Sequence, residues 1–399
     1  MNETNVPIVN NQGINIDNLV GGYIDDVSST FNLKEERKND KVKIPLEQYK
    51  SKVAPLEKEL FECLNLKLGE DIISEDIPLL DDNNNSNYYI HLFRSPNPSQ
   101  DKENFLLIHG FLSSGLHFLA IIPYLIKRYN IFIPDTIGMG LSSRPKYEFT
   151  SPVQCENYFL NIFHILIKNL FFKEKFNIKK EYYLCGHSLG GFFSSRYLLR
   201  YPMGIKKALL LSPVGITDYR IPGTVMDKDT SLSKCCLPVC CPTLLWPCQA
   251  RVQNFYRCCL FHNVIKKYYG KYEINIDDNE IKKNPDGSNF KVDKNRLLSA
   301  LRELTILSLE YPDDLNNCVY YLFRVPPPAA YFPIERNLME YNKIEIIFVF
   351  GEKDWMERHG VYRLCRDKPN LYKIFTVKTS HSFALENPKE LCEIIGQFF

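Results

Sequence analysis

The sequence predicts an α/β protein, with a mostly parallel central sheet flanked by helices and a cap inserted late in the chain. Three observations carry this. From Tyr88 to Leu211 apolar strand-like runs alternate with helix-like runs, as a largely parallel sheet requires. The run Tyr182-Tyr183-Leu184-Cys185 passes through Gly186-His187-Ser188-Leu189-Gly190 straight into a helix-like stretch from Gly191 to Leu199, the setting of a strand–turn–helix elbow. The alternation breaks at Ser212-Pro213 and resumes at Ile344.

Residues 1–40 are rich in Asn, Asp and Ser without periodicity, and are expected to be disordered. Residues 41–212 form the first part of the core. Leu46 to Leu68 is amphipathic, with Leu56, Leu60, Phe61, Cys63, Leu64 and Leu68 at near-helical spacing. Asp81 to Asn87 reads as a turn between two strands. Phe105-Leu106-Leu107-Ile108 and Ile131-Phe132-Ile133 read as buried strands. Residues 213–343 are the cap or lid, inserted between the sixth and seventh core strands, with a loop at Asn284-Pro285-Asp286-Gly287 and the run Pro326-Pro327-Pro328. Residues 344–399 complete the core with strands over Ile344–Phe350 and Tyr372–Val377 and a last helix from Pro388 to Phe399. An α/β core of about 250 residues plus a lid accounts for the length.

The elbow makes Ser188 a candidate nucleophile. A sharp turn strains the serine backbone, flanking Gly186 and Gly190 let neighbouring elements close in, and the following helix points its positive end at the hydroxyl. Such a serine needs a base and a group that orients the base, in the chain order Ser, Asp or Glu, His. Among eight histidines, His381 lies in the loop after the last strand, and Asp354 lies in the turn Gly351-Glu352-Lys353-Asp354-Trp355-Met356 after the strand before it. All three fall at carboxyl ends of strands, where open α/β sheets place their sites. The oxyanion hole is expected from the backbone N–H of Leu189 and of Phe111, with His109 and Gly110 shaping the second loop. Each feature alone has a plainer reading: an ordinary strand-to-helix turn, a solvated loop histidine, an aspartate capping a turn. Their joint occurrence in the required order favours the triad. Asp135 also ends a strand but precedes Ser188, so it is read as structural, bonding the loop Thr136–Ser143.

A net charge of +2 gives no electrostatic basis for nucleic-acid binding. No run of about 18 apolar residues spans a bilayer, and Met1-Asn2-Glu3-Thr4-Asn5 lacks the basic-then-apolar order of a signal peptide. A reducing, cytoplasmic compartment is the expectation. Seven of thirteen cysteines crowd one window: Cys235, Cys236, Cys240, Cys241, Cys248, Cys258 and Cys259. Their adjacent pairs lack zinc-ribbon spacing, and a disulfide cluster would need an oxidising compartment. With Leu244, Leu245, Trp246 and Phe261 nearby, the window reads either as a membrane-touching part of the lid open to S-acylation or as small apolar packing residues.

The chain resembles the α/β-hydrolase-domain 4/5 subfamily from about Leu56 onward. The residues that carry the resemblance are Leu107-Ile108-His109-Gly110, Asp135 to Pro145, Gly186 to Gly191, and the acid loop Gly351 to Met356. The resemblance implies the α/β-hydrolase fold and a lipid substrate, for lysophospholipases and lysophosphatidic acid acyltransferases belong to this subfamily. It also includes a lipase co-activator that lacks the nucleophilic serine, which this chain keeps at Ser188. Phosphatidic-acid-forming members carry H-x4-D on the triad histidine; here His381 to Glu386 puts glutamate in the acidic place. A serine hydrolase acting on glycerophospholipids or lysophospholipids follows, peripheral on membranes or lipid droplets through the cap and needing no metal or cofactor. Acyl transfer from acyl-CoA and a non-catalytic co-activator role are the alternatives. Oligomeric state is not readable.

Overall fold

The computed structural model describes residues 46–80, 88–145, 149–173, 176–222, 224, 274–310, 318–324 and 329–399. Eight strands form one sheet: β1 Ile73–Pro78, β2 Tyr89–Arg94, β3 Glu103–Ile108, β4 Tyr129–Pro134, β5 Tyr182–His187, β6 Ile205–Leu211, β7 Glu345–Gly351 and β8 Tyr372–Val377. Their spatial order is β1-β2-β4-β3-β5-β6-β7-β8. β2 runs antiparallel to both β1 and β4, and every pair from β4 to β8 is parallel. This is the mostly parallel sheet that the alternation of runs predicted, in the α/β-hydrolase arrangement that the resemblance implies.

The parallel strands are continuous apolar runs because both faces are covered. Side chains alternate across the sheet plane, so neighbours enter opposite cores. Leu106, Leu184, Leu210 and Phe348 join one core with helix α2 (Pro152–Ile167), α3 (Leu189–Arg200) and α5 (His359–Asp367). Phe105, Leu107, Cys185, Leu209 and Val349 join the other with α1 (Leu46–Glu62), α4 (Lys294–Glu310) and α6 (Pro388–Phe398). α1 forms where the 3.6-residue spacing lies, and Pro55 is accommodated inside it. The chain turns after Glu62, so Leu64 and Leu66 are buried from that turn.

Between β6 and β7 the chain leaves the sheet for residues 212–344. The described part of this interval is docked on the core. Ile274, Ile276, Leu297, Leu301 and Leu304 are buried in the α1 face. Arg296 Nε reaches Glu59 at 2.8 Å, and the Asn275 N–H donates to the Glu386 carbonyl at 2.8 Å. The cysteine window Cys235–Cys259 and residues 1–45 lie outside the described residues. Among the described residues no helix is long and apolar enough to cross a membrane.

Candidate active site

β5 delivers its last residues into a turn that ordinary strand or helix geometry cannot make. Ser188 has φ 55° and ψ −115°, and its N–H donates to the Leu211 carbonyl of β6 at 2.8 Å. A non-glycine residue there carries on the order of 1–3 kcal/mol of strain, held by its surroundings. The close packing that holds it depends on missing side chains. A Cβ on Gly190 would strike the carbonyl oxygens of Ile108 and His109, and one on Gly186 would strike Ser194 and Gly190. Ser188 retains 9 % exposure at the N-terminal end of α3, whose free N–H groups and dipole face it.

The β3 loop lies directly over this elbow. A Cβ on Gly110 would come 3.1 Å from Ser188 Cβ and 3.1 Å from His187 Nδ1. His109 fixes the loop: Nδ1–H donates to the Gly110 carbonyl at 2.7 Å, and Nε2 accepts the Thr136 N–H at 2.8 Å. Burial pushes this imidazole's pKa down, consistent with the neutral tautomer these bonds require. Leu112, just past Phe111, has φ 52°. Phe111 follows the end of β3 and Leu189 the end of β5, the two strand ends that meet at Gly110 and Ser188.

Asp354 sits in the turn after β7, fully buried at its side chain. Its Oδ1 accepts from His381 Nδ1 at 2.9 Å and from the Met356 N–H at 3.0 Å; Oδ2 accepts from Ser212 Oγ. Burial alone would raise the carboxyl pKa. The His381 charge and these hydrogen bonds outweigh it and hold Asp354 below the usual carboxylate range. His381, in the loop after β8, keeps 15 % side-chain exposure and lies with its ring centroid 4.7 Å from that of His187, the residue before Ser188. Among the described residues Ser188 Oγ makes no hydrogen bond to the His381 ring. The structure therefore sets Asp354 against His381, and the His381 ring beside the residue that precedes Ser188, at one rim of strand ends.

Four further groups hold this rim. Ser212, just past the end of β6, donates to Asp354; a polar residue closing the apolar run Ala208–Leu211 is the signal that could have found it. The Trp355 ring packs 5.2 Å from that of His381. Glu386, the residue in the acidic place of the histidine motif, accepts the Ser380 N–H at 2.9 Å and the Ser380 hydroxyl. It grips the loop one residue ahead of His381. His187 Nε2 lies 3.0 Å from the His381 carbonyl.

Asp135 is structural, as expected: Oδ1 accepts the Gly115 N–H at 2.6 Å, and Oδ2 the Leu141 N–H at 2.7 Å. Among the described residues no cluster of histidine, cysteine and carboxylate side chains could hold a metal.

Residues 103–231 match the α/β hydrolase fold family model. With the strand order above, this decides the fold. The chain is an α/β-hydrolase-fold protein. Two of the relatives that the chain resembles carry names of enzymes acting on lipids. It is 26 % identical to the 1-acylglycerol-3-phosphate O-acyltransferase of Arabidopsis thaliana over 112 residues, 28 % of this chain and 25 % of that one. It is 28 % identical to the (lyso)-N-acylphosphatidylethanolamine lipase of Bos taurus over 116 residues, 29 % of this chain and 32 % of that one. These alignments span about a quarter and a third of the two relatives. A longer likeness, 24 % identical over 77 % of this chain and 73 % of its own, is to Protein ECM18 of Saccharomyces cerevisiae. Among solved structures, a bacterial membrane phospholipase A superposes with TM-score 0.55 at 17 % identity, covering 88 % of this chain and 91 % of that one, a likeness of fold.

Proposed function

We propose that this hydrolase cleaves acyl esters of glycerophospholipids or lysophospholipids, with Ser188 as nucleophile, His381 as base and Asp354 as the group that orients the base. In this reading His381 Nε2 takes the Ser188 proton while Asp354 accepts Nδ1–H and fixes the tautomer. The Ser188 oxygen attacks the acyl carbonyl, and the Leu189 and Phe111 N–H groups hold the oxyanion. The carbon–oxygen ester bond breaks, and the leaving alcohol takes the proton from His381. Water, deprotonated by His381, then releases the fatty acid and restores Ser188.

The observation that supports this most is the buried Asp354–His381 pair at the rim that carries a strained serine. Small rearrangements close a serine–imidazole gap when substrate arrives, since such bonds are often loose in the empty site. The named relatives include a lipase and an acyltransferase, so transfer of the acyl group from acyl-CoA to a lysophospholipid hydroxyl is the second reading. It differs in the acyl donor, a thioester whose carbon–sulfur bond breaks as the CoA thiol takes the proton from His381, and in the lysophospholipid hydroxyl that attacks the acyl-enzyme in place of water. Peripheral attachment to a membrane or lipid droplet, through the cysteine- and aromatic-rich part of residues 213–343, belongs to the same proposal.

The test incubates the purified full chain with an acyl-labelled phospholipid and lysophospholipid panel, with and without acyl-CoA. Free fatty acid released by the wild type and lost in Ser188→Ala supports hydrolysis. Acyl-CoA-dependent phosphatidic acid formation would select transfer. A folded wild type with no Ser188-dependent product in either arm would overturn the enzymatic reading.

A further inference from the structure

His187 is buried, ends β5 and precedes the candidate nucleophile. Its Nε2 lies 3.0 Å from the His381 carbonyl oxygen, which can only accept, so Nε2 carries the hydrogen. Its Nδ1 is buried without a hydrogen-bond partner among the described residues and faces Gly110. The ring stacks on His117 at 4.0 Å and 20°, and His117 Nε2 is likewise buried without a partner among the described residues. Burial first, then the neighbouring imidazoles His117, His381 and His109, press the His187 pKa well below the ordinary value. Burial, then His381 and His109, bring His117 down to about 3. Both rings are neutral at pH 7. A neutral His187 has one N–H, and it is spent on the backbone of the residue read as the base.

We propose that His187 is a positioning residue: its Nε2–H, braced by the His117 ring, fixes the carbonyl of His381 and so sets where the His381 imidazole stands relative to Ser188. This rests on the Ser188–His381–Asp354 reading. A hydrogen bond from the elbow itself to the base loop makes nucleophile and base move as one unit, although the two lie in distant parts of the sequence. Misplacing a catalytic group by about 1 Å can cost on the order of 100-fold.

The test compares lipid-ester turnover of His187→Phe, His187→Gln and Ser188→Ala with the wild type. Phe keeps ring and stack but has no donor, whereas Gln loses the ring and can place an amide N–H near Nε2. The expectation is that His187→Phe lowers kcat by roughly 10–100-fold with KM nearly unchanged, and that His187→Gln recovers at least tenfold of that loss. A packing role predicts the opposite rank, Phe above Gln, and would overturn the proposal. Wild-type-like turnover in Ser188→Ala sinks the triad reading and this proposal with it. An inactive Ser188→Ala beside a His187→Phe within twofold of wild type sinks this proposal alone. Should His187→Phe not fold, nitrogen NMR of the wild type decides. A His187 ring protonated on Nε2 and unprotonated on Nδ1 from pH 5 to 8 supports the inference, and the other tautomer or a ring titrating in that range overturns it.

Discussion

Two Ser–His–Asp groupings stand in different parts of this molecule, and the one with the more complete hydrogen-bond line is not at the elbow. On the outer strands β1 and β2, Ser74 Oγ lies 2.9 Å from His91 Nε2, and His91 Nδ1 lies 2.7 Å from Asp76 Oδ1. Antiparallel register sets Asp76 directly opposite His91, and Ser74 follows by alternation along β1. At the rim, His381 meets Asp354 while Ser188 makes no hydrogen bond to the ring. What separates them is everything around the three side chains. Ser74 belongs to a regular ladder, and Asp76 is 40 % exposed at its side chain. Ser188 is held at φ 55° against the start of α3, and Asp354 is sealed from water with donors on both oxygens. Three residue types in a line do not make a nucleophile; backbone strain, a dipole and a buried, well-bonded acid do.

The sharpest way to break this contrast is to remove each serine in turn. Ser188→Ala should lower kcat for acyl-ester cleavage by on the order of 10⁶-fold, while Ser74→Ala stays within twofold of wild type. An equal loss from both would erase the distinction. The acids come next. Asp354→Asn should cost about 10⁴-fold in kcat by unsettling the His381 tautomer, and Asp76→Asn less than threefold, both read from steady-state kinetics. Ser212→Ala should cost roughly tenfold, with the acid limb of the pH–rate profile moved upward, because one bond that holds the Asp354 pKa down is gone. An unmoved limb would assign Ser212 to packing alone.

The smallest effect concerns stability at the outer grouping. Glu57 on α1 is 3 % exposed, and its carboxylate stands 3.9 Å from His91 Nε2. Burial pushes its pKa up to about 8, the His91 charge opposing and Asp135 and Asp76 adding to the rise. The folded state thus holds a proton that the unfolded chain gives up near 4.5, so stability falls as pH climbs from about 4.5 through about 8. Glu57→Gln should remove that slope. Its gain in urea-unfolding free energy should be under about 1 kcal/mol near pH 5 and a few kcal/mol at pH 8.5. A gain that does not grow with pH would mean Glu57 is not the group responsible.

The sequence showed the parts of this arrangement that depend on local pattern. β3, β5, β6 and β7 read as strands because burial on both faces makes them continuous apolar runs. The elbow was legible because a glycine-flanked serine between strand and helix has few other uses. Asp354 and His381 were legible because strand ends alternate in a fixed order along the chain. What stayed hidden depends on contacts between distant segments. Ser212 looks like a loop residue until β6 and β7 pair and bring it to Asp354. His187 reads as filler within the pentapeptide until the last loop folds back onto it. The Ser74–His91–Asp76 line exists only through the register of β1 on β2. The strand start at Glu103 was also missed, since a polar residue at a strand end carries no apolar signal.

The most direct measurement is the site of covalent capture. The folded wild-type chain is treated with a fluorophosphonate, which loses fluoride as a serine oxygen bonds to phosphorus, and the adduct is located by peptide mass spectrometry. A single adduct on Ser188, blocked by prior incubation with a lysophospholipid, is the predicted result. An adduct on Ser74, or a folded protein that takes up none, would contradict the account.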